Sequence, residues 1–151
     1  MTLLKNVGVS DSLFTLAAEG FTKVNPAAIA GANAPYGVLS GSIAALTGEK
    51  DYEVTAGDGT KTAVGVFLNN AEGQPYENSP AVASGKVTVL RGMASIEVEY
   101  FEDKTYKQGE KLYCSEDGFF TNEASANAQV LGVVTKVPTL ASHTLGVQLF
   151  I

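Results

Sequence analysis

The sequence is poor in the residues from which most active sites are built: one cysteine, one histidine and no tryptophan in 151 residues. One cysteine excludes an internal disulfide, and a single cysteine with a single histidine excludes a thiolate-rich zinc site. Arginine occurs once, as Arg91, and ten basic residues face sixteen acidic ones, giving a net charge of −6 and a pI near 4.7. A field of that sign repels phosphate backbones, and one guanidinium leaves little for bidentate readout, so nucleic acid is a poor partner. Long apolar runs are missing too. The stretch from Met1 to Leu16 is broken by Lys5, Asn6, Ser10, Asp11 and Ser12. It lacks the unbroken 7–15 apolar residues, roughly, of a secretory core and the ~20 of a spanning helix. The expectation is a protein made and assembled in a cytoplasm, without a membrane partner.

What is present suffices for one folded domain. Hydrophobic residues make up 45% and charged residues 17%, a balance unlike that of disordered chains. A chain of this length buries about two-thirds of its unfolded surface and needs no metal or disulfide to fold.

The dominant pattern has a period of two, the signature of a half-buried strand. Val87 and Val89 are apolar at odd positions, whereas Ile96, Val98 and Tyr100 are apolar at even ones and alternate with Glu97 and Glu99. The parity changes near Leu90-Arg91-Gly92, where Gly92 suits a bulge or bend that turns a barrel corner. Tyr52, Val54 and Ala56 alternate with Asp51, Glu53 and Thr55, and Leu145, Val147, Leu149 and Ile151 alternate with Gly146, Gln148 and Phe150. Two runs, Ala63 to Leu68 and Val130 to Val137, are almost wholly apolar, as in strands covered on both faces. Asp58-Gly59 and Asp117-Gly118 read as hairpin turns, because glycine accepts positive φ. The first would join the Tyr52 and Val64 strands, and the second would join Leu112-Tyr113-Cys114 to Phe119-Phe120-Thr121. Loops rich in Gly, Pro, Asn and Ser fall at Asn69 to Pro80 and Thr121 to Ala128. Each Asp-Gly pair precedes a Gly-Val strand, Val64-Gly65-Val66 or Leu131-Gly132-Val133; duplication and convergence both produce such an echo. The fold class expected is all-β, a small and mostly antiparallel barrel or sandwich with an N-terminal extended arm.

That arm and its connector occupy residues 1–35, and the β-barrel domain residues 36–151. Leu3, Leu4, Val7, Val9, Leu13, Phe14 and Leu16 are too many apolar groups for a free tail. Around Leu13 to Ala18 a short helix capped by Ser12 and stopped by Gly20 and an extended segment both fit. The arm packs either on its own barrel or on a neighbouring surface.

No catalytic, cofactor or metal residue emerges. His143, the one side chain that titrates near neutrality without perturbation, sits in a short loop before the last strand and reads as a surface histidine. Cys114 lies between Lys111 and Glu116, whose charges offset, and reads as a small strand residue. Glu97 and Glu99, with Glu102 and Asp103 beyond, read as a solvated sheet face. Gly57-Asp58-Gly59 is a turn, not a phosphate cradle.

The stretch Tyr106-Lys107-Gln108-Gly109-Glu110-Lys111-Leu112-Tyr113, then Asp117-Gly118-Phe119-Phe120-Thr121 and Leu131-Gly132-Val133-Val134, preceded by Val64-Gly65-Val66-Phe67, resembles the small β-barrel head-decoration (capsid cement) proteins of tailed bacteriophages. The likeness spans roughly residues 36–151. It implies a non-enzymatic virion protein on the capsid exterior, with no cofactor, that binds the major capsid protein and itself, as a homotrimer, and stabilises the expanded shell. Leu3, Leu4, Val7, Val9, Leu13, Phe14 and Leu16 are then the expected capsid or inter-subunit contacts. Two other readings compete. One is a carbohydrate- or receptor-binding β module of a fibre or baseplate appendage, using Tyr36, Tyr52, Tyr76, Tyr100, Tyr106 and Tyr113 as stacking surfaces. The other is a small β-barrel hydrolase or isomerase that pairs His143 with Glu99 or Asp103.

Overall fold

The computed structural model describes residues 39–68 and 87–151 in full and residues 9–11 and 15–16 by their backbone. These form strands β1 (Val9–Asp11), β2 (Thr15–Leu16), β3 (Ile43–Leu46), β4 (Glu53–Ala56), β5 (Ala63–Phe67) and β6 (Val89–Arg91). There follow β7 (Ser95–Val98), β8 (Lys111–Cys114), β9 (Phe120–Thr121), β10 (Gly132–Lys136) and β11 (Leu145–Leu149). No helix occurs among the described residues. The fold is all-β. Its two sheets have the orders β1-β6-β5-β3-β4-β2 and β7-β11-β10-β8-β9, and every pairing is antiparallel except that of β2 with β4.

The two sheets repeat one topology. In each, a first strand (β1 or β7) pairs with the last (β6 or β11), and a hairpin (β3–β4 or β8–β9) pairs through its first strand with the next (β5 or β10). The likeness extends to the edge. β2, which follows β1, adds parallel to β4, and Phe101, which follows β7, forms a parallel bridge to Phe120 of β9. Glycine holds the same place in both halves. A Cβ at Gly65 of β5 would press on the Leu90 carbonyl of β6, and one at Gly132 of β10 would press on the Gln148 carbonyl of β11.

Chain reach fixes the curvature. Five strand spacings separate β1 from β2, about 24 Å in a flat sheet, yet the four peptide steps from Asp11 to Thr15 reach no more than about 15 Å. The three steps from Val98 to Phe101 reach about 11 Å across a similar span. Both sheets must therefore curl toward closure.

The larger apolar core lies on the inner face of the five-stranded sheet, where Leu112, Phe120, Leu131, Val134, Leu145, Val147 and Leu149 meet Ile43, Ala63 and Val66 of the six-stranded sheet. A second cluster, Ala44, Val54, Phe67, Val87 and Val89, occupies the opposite face of the six-stranded sheet, since adjacent strand residues point opposite ways. Each large side chain removed from water in this way contributes about 1.5–3 kcal/mol.

Several details differ from expectation. Asp58-Gly59 is not a hairpin: β3 lies between β4 and β5, so the turn starts a crossing over β3. The β4 alternation fails as well. Thr55 is 0% exposed and its hydroxyl has no hydrogen-bond partner, because both faces of its sheet are covered. Tyr52 lies outside β4, at φ 61° and 54% exposed. In β10 only one face is covered, with Val133 half-buried and Thr135 exposed, because the five-stranded sheet packs on its inner side alone.

Other expectations match. The parity change falls where β6 of one sheet gives way to β7 of the other, with Gly92 at φ 89°. Asp117-Gly118 closes the β8–β9 hairpin, with Tyr113 opposite Thr121 and Cys114 opposite Phe120. Of the 1–35 segment, Val9–Asp11 and Thr15–Leu16 are strands of the six-stranded sheet. Thr15–Leu16 thus takes the extended reading and not the helical one. The loop expected at Asn69 to Pro80 lies outside the described residues.

Gly132→Ala should destabilise the protein by about 2–3 kcal/mol, since its methyl meets backbone that cannot yield. Gly48→Ala, at φ 79° with open space around its Cβ, should cost only about 1 kcal/mol of left-handed strain. Urea unfolding of the two variants measures the difference.

Candidate functional site

A cleft of about 420 Å³ lies between the Asp58 turn, the β8–β9 hairpin and the loop after β9. Asp58, Glu102, Glu116, Asp117 and Glu123 line it, with Lys104, Cys114 and Ser115. The Asp58 side is built by an Asx turn. One carboxylate oxygen accepts from the Thr60 N–H (2.9 Å), the Thr60 hydroxyl (2.7 Å) and the Lys61 N–H (3.1 Å), and the other accepts from the Lys61 ammonium (2.7 Å). Partial burial alone would raise the Asp58 pKa, but the hydrogen bonds from Lys61 and Thr60 outweigh it and hold the carboxyl far below the usual range. The hairpin side is equally fixed. Gly118, at φ 88°, donates to the Ser115 carbonyl (3.1 Å), and the Ser115 N–H donates to the Phe119 carbonyl (2.8 Å).

The thiol and the ammonium that line the cleft are both engaged. Cys114 lies in the core, its thiol donating to the Ser115 carbonyl at 3.3 Å, and burial pushes its pKa up to about 12. Lys104 donates to Glu123 at 2.7 Å. Among the described residues no three His, Cys, Asp or Glu side chains gather closely enough to hold a metal.

His143 is exposed, and its ring stacks on Phe101 with centroids 5.0 Å apart. Among the described residues no hydrogen bond or ion pair joins it to Glu99 or Asp103. Glu97 and Glu99 are exposed on either side of buried Val98. Of the tyrosines, Tyr106 is buried and donates to the Glu102 carbonyl (2.6 Å), Tyr100 and Tyr113 are half-buried, and Tyr36 and Tyr76 lie outside the described residues. Of the seven expected contact residues, Val9 and Leu16 fall on β1 and β2. Leu3, Leu4, Val7, Leu13 and Phe14 lie outside the described residues.

Sequence reasoning missed the exposed apolar side chains Leu140 (105% exposed) and Met93 (57%). Phe150, one residue beyond β11 and 46% exposed, has the outward parity that the alternation from Leu145 to Ile151 gave it. No protein-family model matches the chain, and no curated protein does.

Two outcomes follow. A depressed folded-state pKa stabilises the fold above the unfolded carboxylate value, near pH 4, and that contribution is lost as pH falls toward the folded value. Asp58→Asn should therefore cost about 1–3 kcal/mol at pH 7, and its gap from the parent in urea unfolding should narrow steadily below pH 4. Cys114 should resist a thiol-reactive disulfide reagent at pH 8 in the native protein and react fully once urea unfolds it.

Proposed function

We propose that this chain is a structural, non-enzymatic virion protein that binds the exterior of a tailed-phage capsid and strengthens the expanded shell. One observation carries the reading. Most of the residues on which the likeness to head-decoration proteins rests, Tyr106 to Val134, fall in and around the neighbouring strands β8, β9 and β10, and the remainder, Val64 to Phe67, lie on β5 of the other sheet. Leu112, Phe120, Leu131 and Val134 of the β8–β10 group supply its core, and Tyr106 braces it. Gly132 gives the close approach to β11. The pattern thus coincides with core and close-approach positions of the fold, which supports the reading.

Stiffness suits such a role. Adhesion would come from contacts that are individually weak and repeated over a lattice, where effective concentration multiplies them. A parallel strand already adds to the β4 edge, and strand addition is a common way for extended segments to bind a sheet. The sugar-binding alternative draws little support, since Tyr52 is the one strongly exposed tyrosine among the described residues.

The test mixes the purified protein with expanded, undecorated shells of a tailed phage that carries this sequence. Saturable co-sedimentation and a raised shell melting temperature are expected. Absence of binding, or saturable binding on a glycan array, would overturn the proposal.

A further inference from the structure

β7 is an edge strand. It pairs with β11 on one side, and among the described residues no strand pairs with the other. The register shows which backbone groups that edge offers. The Leu149 N–H donates to the Ala94 carbonyl (2.8 Å) and the Gly92 N–H to the Ile151 carbonyl (2.6 Å), and both bonds continue the register that sets Val98 opposite Leu145. Hydrogen-bonded pairs alternate along an antiparallel ladder. Ile96 and Val98 therefore turn their backbone groups toward β11, and Ser95 and Glu97 turn theirs outward. Beyond the edge lies a groove of about 340 Å³, lined by Glu97, Val98, Glu99 and Tyr100 on one side and by Ser40 and Gly41 on the other. A Cβ at Gly41 would stand 2.9 Å from the Val98 side chain, so glycine keeps side-chain atoms out of the groove at that point.

We propose that this edge takes up an extended segment of a basic partner protein, which adds as a strand beside β7 and carries lysine or arginine at alternate positions. Strand addition gives the outward backbone groups of Ser95 and Glu97 their partners. Charge then selects the segment. Glu97 and Glu99 are exposed on either side of buried Val98, and neither forms an ion pair among the described residues. Side chains directly opposite on neighbouring strands lie about 5 Å apart, so cations facing these two carboxylates are paired and anions are repelled. The residues between the cations point the other way, toward Val98 and Tyr100, and are apolar.

The same charge excludes a second copy of this chain. Its own β7 would set Glu97 and Glu99 against the same carboxylates, in a chain of net charge −6. Charged residues on an edge strand guard against edge-to-edge pairing. Here the guard has one sign, so it rejects copies of itself and admits the opposite sign. A nucleic acid is excluded on the same ground, because its phosphates are anionic. The contact is short: β7 has four residues, about 13 Å of strand, so binding is weak and saturable. The inference stands on the β7 edge and not on the shell reading, and its test needs no shells.

The probe is an end-blocked peptide of alternating lysine and valine, titrated into the intact protein into the low millimolar range and read by amide chemical shift and hydrogen exchange. Saturable shifts centred on Ser95 to Glu99 are expected, with the Ser95 and Glu97 amides exchanging about tenfold more slowly at saturation. Glu97→Gln/Glu99→Gln should weaken binding about fivefold. Glu49→Gln/Asp51→Asn, which removes the same charge from the exposed β3–β4 turn, should leave it unchanged. A peptide with glutamate in place of lysine should not bind, and one N-methylated at the amides that face β7 should bind about tenfold more weakly. Absence of saturable binding overturns the proposal, as do shifts centred elsewhere. Equal binding of the N-methylated peptide overturns it too, because charge alone then suffices. Protection of the Ser95 and Glu97 amides that grows with protein concentration, without peptide, also overturns it, because a second copy is then the occupant.

Discussion

A short tether between strands that the pairing order sets far apart governs this molecule. Asp11 and Thr15 belong to opposite edges of the six-stranded sheet, and Val98 and Phe101 stand in the same relation across the five-stranded one. A peptide cannot stretch, so each sheet bends until its edges approach. Bending gives each sheet a concave face, and apolar residues on such a face are shielded from water by neighbours of the same sheet. Few strands then suffice for a core holding Phe120, Leu112 and Leu149 at 0% exposure. The same curl brings backbones together. Gly65 and Gly132 stand where a methyl group would meet a neighbouring carbonyl, and their equivalent places follow from two sheets solving one problem in one way.

This constraint separates what was legible in the sequence from what was not. Alternation in Leu145–Leu149 and the change of parity at Gly92 are local signals, and both correspond to the strands and the switch of sheet found there. Asp58-Gly59 and Asp117-Gly118 carry the same local chemistry, yet only the second closes a hairpin. The difference is β3, which occupies the place beside β5 that β4 would need. Residues tens of positions apart set that pairing, and no turn dipeptide encodes it. The echo between the halves was legible at the Gly-Val strands and misaligned at the Asp-Gly turns for the same reason. Thr55 shows a further limit: a threonine that shares its parity with Asp51 and Glu53 reads as outward until the second face of its sheet proves to be covered.

The candidate site was legible mainly through counting. One histidine and one cysteine bound the available chemistry before any fold is known. Burial of Cys114 and the stacking of His143 on Phe101 then depend on tertiary placement. Exposure of Leu140 was illegible, because an apolar residue in a short loop is as often folded inward as held out. The cross-loop hydrogen bonds of Lys136 and Thr139 decide it. These pairs become close only after β10 and β11 are aligned.

The polar groups that are present serve mainly as braces. The Gln129 amide accepts from the Ala63 N–H (2.8 Å) and donates to the Ala63 carbonyl (3.0 Å), imitating a strand partner at the edge of β5. The Asn127 side-chain amide donates to the Lys61 carbonyl (2.9 Å), and the Asn127 backbone N–H donates to the Gly59 carbonyl (3.0 Å). Both side chains belong to the loop after β9 and tie the second half of the chain to the first. A buried backbone group without a partner costs about 1–3 kcal/mol, so each brace resists separation of the halves along a defined line. Such resistance suits a body that must keep its shape under load, which is the demand that attachment to a pressurised shell would impose.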